Sequence, residues 1–207
     1  MKKIVTKVIP ITTLFLDVGG VLLTNGWDHS SRELAAKTFD LDPKEMAMRH
    51  NLVVDIFERG KLSLEEYLDQ VIFYEKRSFS RSQFKKFLFA QSKPFPQMID
   101  VVCKLKEQYS LKIGVVSNES REVNEYRIKK FKLGSFVDFF ISSCFVQLRK
   151  PDKDIYRLAL DVAQVPAKQV IYIDDRLMFV QVAEELGLQG IHHLDYKSTR
   201  AKLAHLL

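Results

Sequence analysis

The sequence has little cysteine and no long apolar run. Two of its 207 residues are cysteines, Cys103 and Cys144, and they lie far apart without the spacing of a metal site. A small fold held together by disulfides or zinc is therefore excluded, and we expect both side chains to be buried thiols in a reducing compartment. Because no apolar run is long enough to span a membrane, we also expect no membrane association.

Glycine-rich nucleotide loops are also missing. Neither a P-loop nor a dinucleotide fingerprint occurs, which argues against the use of nucleoside triphosphates. At the amino terminus, Lys2, Lys3 and the apolar residues after them imitate a secretory signal only faintly. Lys7, Pro10 and Asp17 interrupt that run, and no small-residue cleavage site follows. We therefore expect a cytoplasmic protein.

Charge is present, but it is dispersed. The chain has 32 Lys and Arg against 26 Asp and Glu, a net charge of +6. Most lysines fall on the outer faces of predicted helices, which favours a solvated basic surface. Such a surface would also attract phosphorylated, anionic substrates. No recognition motif accompanies the charge, so we expect no nucleic-acid partner.

The most informative segment runs from Thr13 to Val18. A stretch of β-forming apolar residues ends on Asp17 and is followed by Gly19 and Gly20. The stretch predicts a buried parallel strand, and the glycines predict a tight turn or a close approach to a ligand. An acid at the carboxyl end of such a strand lies where open α/β sheets place their chemistry. The alternative is a strand that simply stops at a solvated Asp-Gly turn.

Two later apolar strands end on polar residues in the same way. One ends on Ser117 and Asn118, and the other ends on Asp174 and Asp175. Each has a simpler explanation, since the first pair could form a turn and the second could cap the next helix. Between them, Lys150 stands just before a predicted helix, of which Pro151 suits the first position. Together these residues supply a carboxylate nucleophile, a hydroxyl and a cation for an anion, and acids for a metal.

The chain has two regions with different secondary-structure patterns. Strands and helices alternate over residues 1–24 and 95–207, which predicts an α/β core with a Rossmann-like, doubly wound parallel sheet. Residues 25–94 show only helical periodicity, which predicts an inserted, all-helical cap domain. Within the cap we expect four helices, spanning 31–39 and 43–58 and beginning near 63 and 82.

With these motifs in this order, the sequence resembles the haloacid dehalogenase-like hydrolase superfamily over nearly its whole length. Within it, the chain is most similar to small phosphatases with a helical cap after the first strand and an Asp-x-Gly-Gly or Asp-x-Gly-Asn opening. That branch includes sugar-phosphate phosphatases. The resemblance implies a Mg²⁺-dependent phosphomonoester hydrolase that acts on a small phosphorylated metabolite, with sugar phosphates among the candidates.

The resemblance also assigns roles to residues. Asp17 would attack phosphorus and form an aspartyl phosphate. Ser117 would donate a hydrogen bond to a phosphate oxygen, helped by the backbone N–H near Asn118, and Lys150 would neutralise the charge.

The same resemblance predicts a set of magnesium ligands. They are the carboxylates of Asp17 and Asp174 and the backbone carbonyl of Gly19, all hard oxygen donors. Asp175 is either a further ligand or accepts a hydrogen bond next to the ligands without touching the metal.

Two positions depart from the family pattern. Most of these phosphatases carry a second Asp two residues after the nucleophile, which protonates the leaving group and activates water; here that position is Gly19. A positioned acid or base contributes about 10²–10⁴ in rate. We therefore expect a slow enzyme, a preference for good leaving groups, or an acid borrowed from the cap. Phe179 stands where an Asn often follows the paired acids.

Cap residues are assigned less sharply. Glu58, at the end of a predicted helix, either accepts a hydrogen bond from a substrate hydroxyl or is a solvated acid. Arg49 and His50 could contact an anion, but a helix-surface position is favoured. Trp27 lies near the mouth of the site or packs the cap against the core.

Two other functions remain open. A non-catalytic, phosphate-binding regulatory protein would tolerate Gly19 and Phe179. A metal-independent 2-haloacid dehalogenase also uses an Asp nucleophile without the second Asp, but it would lack the paired acids Asp174 and Asp175. We expect a monomer or a homodimer in either case.

Overall fold

The computed structural model describes residues 10–207. Lys2, Lys3 and Lys7, and with them the beginning of the predicted core segment 1–24, lie outside the described residues. Over residues 10–207, no helix combines the length and the apolar character needed to cross a membrane.

The centre of the fold is a parallel sheet with the strand order β3-β2-β1-β4-β5. In the described part of the chain its strands are β1 (Thr13–Leu16), β2 (Lys112–Ser117), β3 (Phe139–Ser142), β4 (Val170–Asp174) and β5 (Gln189–His192). All four strand pairs are parallel, and β1 lies in the middle with all four residues buried. The predicted α/β class with a Rossmann-like parallel sheet is confirmed.

Helices cover both faces of this sheet, because side chains alternate along a strand. The core helices are α5 (Pro96–Tyr109), α6 (Arg121–Lys130), α7 (Ser143–Val146), α8 (Lys153–Ala163), α9 (Leu177–Glu185) and α10 (Tyr196–Leu206). Leu14 and Leu16 belong to one apolar cluster with α5, and Phe15 belongs to the opposite cluster with α8 and α9.

Four helices inserted between β1 and α5 form the cap, residues 29–90, around an apolar cluster that Val123 of α6 also joins. They are α1 (His29–Phe39), α2 (Pro43–Glu58), α3 (Leu64–Val71) and α4 (Arg81–Ala90). Their starts follow local chemistry: Asp42 caps α2, and Ser63 with Glu66 forms a reciprocal capping box at α3.

The two chain crossings between core and cap meet at one buried side chain. Arg127 of α6 is 1% exposed. Its guanidinium donates to the backbone oxygens of Thr24 (3.2 Å) and Asn25 (2.8 Å) on the outgoing crossing. It also donates to the hydroxyl of Ser92 on the returning crossing (3.0 Å) and pairs with buried Glu119.

Two local expectations were wrong. Helix α8 begins at Lys153 rather than Pro151, because the Asp152 carboxylate caps it by accepting from the backbone N–H of Asp154 at 3.0 Å. Cys144 is buried as expected, whereas Cys103 is only half-buried; both are free thiols.

Candidate active site

The carboxyl edge of the sheet brings the predicted polar residues together. Leu16 pairs with Val115 on one side and Ile173 on the other, so Asp17 follows β1 beside the ends of β2 and β4. The Asp17 N–H donates to the Ile173 carbonyl at 2.9 Å, which fixes the backbone where β1 ends. Asp17 and Asp174 are both buried, on neighbouring strands.

Lys150 lies between these two carboxylates. Its Nζ is 3.2 Å from Asp17 Oδ2 and 2.6 Å from Asp174 Oδ2, and its side chain is fully buried. Asn118 fixes the backbone of Lys150 from both sides: it accepts from the Lys150 N–H at 2.9 Å and donates to the Lys150 carbonyl at 3.0 Å. The Asn118 side chain is therefore engaged in holding Lys150 in place.

Burial and charge act in opposite directions on this group. Burial raises the pKa of Asp17 to about 7, although the positive charge of Lys150 opposes the rise. Burial acts to lower the pKa of Lys150, but the carboxylates of Asp17 and Asp174 outweigh it and raise that pKa, so the ammonium stays charged. A cation beside Asp17 would favour its ionised, nucleophilic form.

Three carboxylates form a cluster that suits a hard divalent cation. Asp17, Asp174 and Asp175 each offer one oxygen, and these oxygens lie within 4.8 Å of one another. Asp175 Oδ1 is buried without a hydrogen-bond partner among the described residues. A buried oxygen without a partner is costly, and a cation would compensate it. The donor set therefore fits Mg²⁺ chemistry. Gly19 lines a cavity between core and cap together with Asp17 and Lys150.

The Ser117 hydroxyl is buried beside Asp17. It lies near enough to that carboxylate to oppose the rise of its pKa, but it completes no well-formed hydrogen bond with a described residue. Because buried hydroxyls are rarely left unpaired, this group could serve a ligand at the edge of the sheet.

Tyr172 is a site residue that the sequence analysis missed. Its hydroxyl donates to Asp174 Oδ2, and both residues are fully buried. Phe179 lines the cavity with an apolar ring, and the polar contact to Asp174 comes from Tyr172. The sequence contained a signal for this contact: Tyr172 and Asp174 are two residues apart on β4, and such residues share one face of a strand.

The cap presents a chain of neutral groups to the same cavity. Trp27 Nε1 and His50 Nδ1 each lie 2.8 Å from the hydroxyl of buried Tyr67. The indole can only donate, so the Tyr67 oxygen accepts from Trp27 and keeps its own proton available for His50 Nδ1. Burial, followed by the charges of Arg32 and Arg149, lowers the pKa of His50 to about 3, so the ring is neutral.

The expectation that His50 lies on the helix surface is therefore wrong, whereas it holds for Arg49. Arg49 pairs with Glu45 at 2.6 Å and stacks over the Tyr74 ring, away from the cavity. Trp27 lines the cavity, in line with a position near its mouth, and packs edge-on against Phe84 inside the cap. Its packing of the cap against the core stays a prediction.

Glu58 lies at the cavity but is paired. Its carboxylate accepts from Arg149 Nε at 2.5 Å, and its backbone oxygen accepts from the hydroxyl of Ser143 at 2.6 Å. These contacts join the end of α2 to the core next to Lys150.

Comparison with known proteins identifies relatives of this arrangement. The model of the family described as haloacid dehalogenase-like hydrolase matches residues 11–187. A haloacid dehalogenase family enzyme from Bacteroides thetaiotaomicron, solved as a magnesium complex, has a TM-score of 0.75 at 20% identity, over 88% of this chain and 93% of that one. A point mutant of that enzyme, solved with magnesium and inorganic phosphate, has a TM-score of 0.74 at 21% identity, over 87% of this chain and 93% of that one.

Two curated relatives come from fungi. Drimenol cyclase drtB of Aspergillus calidoustus is 27% identical over 87% of this chain, which spans only 34% of that relative's length. Sesquiterpene phosphatase astK of Aspergillus oryzae is 25% identical over 56% of this chain and 58% of its own length. The chain therefore corresponds to part of each of these proteins.

Proposed function

This chain belongs to the haloacid dehalogenase-like hydrolases, and on that premise we propose that it is a Mg²⁺-dependent phosphatase of small phosphorylated molecules. The observation that carries the proposal is Lys150 placed between Asp17 and Asp174, 3.2 and 2.6 Å from their oxygens. One cation thus compensates two buried carboxylates at the point where a phosphate dianion would arrive.

The proposed reaction has two steps at Asp17. First, an Asp17 oxygen attacks phosphorus, and the ester bond breaks with its electron pair leaving on the substrate oxygen. Second, water attacks the aspartyl phosphate, which restores the carboxylate and releases inorganic phosphate. Ser117 donates to a phosphate oxygen in both steps, and Lys150 stabilises the negative charge.

Magnesium would be held by Asp17, Asp174, the Gly19 carbonyl and Asp175. It would neutralise the carboxylates and the phosphoryl oxygens, which otherwise repel one another. Asp175 supports this role as a ligand because one of its oxygens accepts a hydrogen bond from Asn25 at 3.0 Å while the other is buried without a partner.

The leaving group is expected to be a good one. Position 19 has no acid, and the pKa of His50 is too low for its ring to donate a proton near neutral pH. Sugar 1-phosphates and prenyl phosphates both belong in the test, the latter because one relative is named a sesquiterpene phosphatase.

The test is phosphate release from p-nitrophenyl phosphate, sugar phosphates and farnesyl phosphate, with Mg²⁺ and with EDTA. Magnesium-dependent turnover that falls by about 10⁴-fold or more in Asp17→Asn supports the proposal. Chloride release from 2-chloropropionate in EDTA would instead identify a dehalogenase. Phosphate binding without any turnover would identify a non-catalytic binder.

A further inference from the structure

The space beside Gly19 is already filled by another residue. A Cβ built at position 19 would lie 2.7 Å from Asn25 Oδ1, closer than real Cβ atoms approach a neighbour, and 3.4 Å from Asn25 Cα. The missing side chain at position 19 has therefore left no void. The Asn25 carboxamide, six residues further along the chain, stands in its place.

The orientation of that carboxamide is determined by its neighbour. Asn25 Nδ2 donates to Asp175 Oδ2 at 3.0 Å. Because an ionised carboxylate can only accept, the amide nitrogen must face Asp175, which turns the amide oxygen toward position 19. Asn25 lines the same cavity as Asp17 and Lys150.

The backbone of Asn25 is fixed as firmly as its side chain. Its carbonyl accepts from the buried Arg127 guanidinium at 2.8 Å and from the Trp27 N–H at 2.9 Å. Gly26 follows with a φ of 75°, and a Cβ there would lie 1.8 Å from the Arg127 guanidinium. Only glycine permits this approach, which brings Arg127 onto the carbonyl and holds Asn25 against position 19.

We propose that the Asn25 amide oxygen accepts a hydrogen bond from the water that hydrolyses phosphorylated Asp17, an inference that rests on the phosphatase function proposed above. In this step the water oxygen bonds to phosphorus, and the bond from phosphorus to Asp17 breaks with its electron pair returning to the carboxylate. The water proton leaves on the product phosphate. An amide orients water without accepting its proton, as glutamine does in small GTPases.

Stopped-flow kinetics with p-nitrophenyl phosphate separates the two steps. In Asn25→Ala we expect the first turnover to release p-nitrophenol within about threefold of the wild-type rate. Steady-state turnover should fall by about 10- to 100-fold, which produces a burst of about one equivalent per enzyme. Asn51→Ala, at an exposed position on α2, is the matched control and should be unchanged.

Three results in the variant, and one in wild type, would overturn the inference. Full turnover in Asn25→Ala would show that the amide is not needed. A slower first turnover without a burst would show that Asn25 acts in the phosphorylation of Asp17 and not in the hydrolysis step. Complete rescue by higher Mg²⁺ would show that Asn25 acts only by positioning Asp175. If wild type itself has no magnesium-dependent turnover, the proposed function fails and this inference fails with it.

A double-mutant cycle of thermal unfolding tests, without an activity assay, whether Asn25 fills the space beside position 19. Gly19→Ala should lower Tm by about 4 °C or more, because its methyl group meets Asn25. The same substitution in an Asn25→Ala background should lower Tm by much less. Equal shifts in both backgrounds would show that Asn25 does not occupy that space.

Discussion

The two walls of the cleft are built from opposite kinds of side chain. The core wall is charged: Asp17, Asp174 and Lys150 are buried together at the ends of strands and in the loop before α8. The cap wall is largely neutral: Trp27, Tyr67 and His50 are joined by hydrogen bonds over an aromatic cluster. Buried charged groups are stable only when each is held close to its partner. The parallel sheet holds Asp17 and Asp174 in this way at the ends of its strands. The cap side also brings two acids to the cavity: Glu58, which is paired with Arg149, and Asp28, which caps α1.

The largest effect should come from breaking the charged wall at Lys150. Lys150→Met leaves two carboxylates facing each other, so we expect kcat/KM to fall by about 10³-fold. The free energy of unfolding without Mg²⁺ should fall by about 3 kcal/mol. Steady-state kinetics and urea unfolding measure these losses, with Lys130→Met on the exposed side of α6 as the control. A loss no larger than the control's would contradict the charged-wall account.

The second-largest effect is expected at Arg127, because this side chain holds the two chain crossings between core and cap. Arg127→Met leaves Glu119 buried without a partner and frees both chain crossings, so we expect a loss of about 3 kcal/mol in unfolding free energy. Removing both charges with Arg127→Met and Glu119→Gln should recover part of that loss, as measured by urea unfolding. Additive losses in the double variant would argue against the buried pair.

The neutral wall should be sensitive to acid. The pKa of His50 is about 3 in the folded protein, against about 6.5 for a free imidazole, so the unfolded chain binds the extra proton. Stability is therefore complete above pH 6.5 and is lost as pH falls, by about 2 kcal/mol between pH 7 and pH 5. Urea unfolding at both pH values should show this loss in wild type and a smaller one in His50→Gln. The same pH dependence in both proteins would mean that His50 is not held neutral.

The smallest effect is expected where the walls touch, at Glu58 and Arg149. Both side chains are about a quarter exposed, so solvent screens the pair and limits its contribution to less than about 1 kcal/mol. Glu58→Gln should change KM by less than about threefold in the phosphatase assay. A tenfold rise in KM would instead support the earlier expectation that Glu58 binds a substrate hydroxyl.

The core wall could be predicted from sequence because its residues are tied to strand ends. An apolar run that stops on Asp17, and another that stops on Asp174, place both acids at one edge once the strands are parallel. Tyr172 was accessible by the same alternation but was not used. The start of α8 was predicted wrongly, because Asp152 rather than a residue before Pro151 takes the capping position.

The cap wall could not be predicted in the same way. Whether His50 faces solvent or the cavity depends on how α2 packs against α3, which helical periodicity alone does not settle. Asn25 and Arg127 are 102 residues apart, and no local pattern connects an asparagine in a crossing with an arginine on a polar helix. Their contact depends on tertiary structure.

One consequence follows from Arg127 contacting both crossings. A single guanidinium bonded to the outgoing and the returning chain makes the two crossings one unit rather than a pair of independent tethers. The end of α2 is a second attachment, because the Glu58 carbonyl accepts a hydrogen bond from the Ser143 hydroxyl of the core. The cap is thus held to the core at two places, and Asn25 lies at the one where both chains cross.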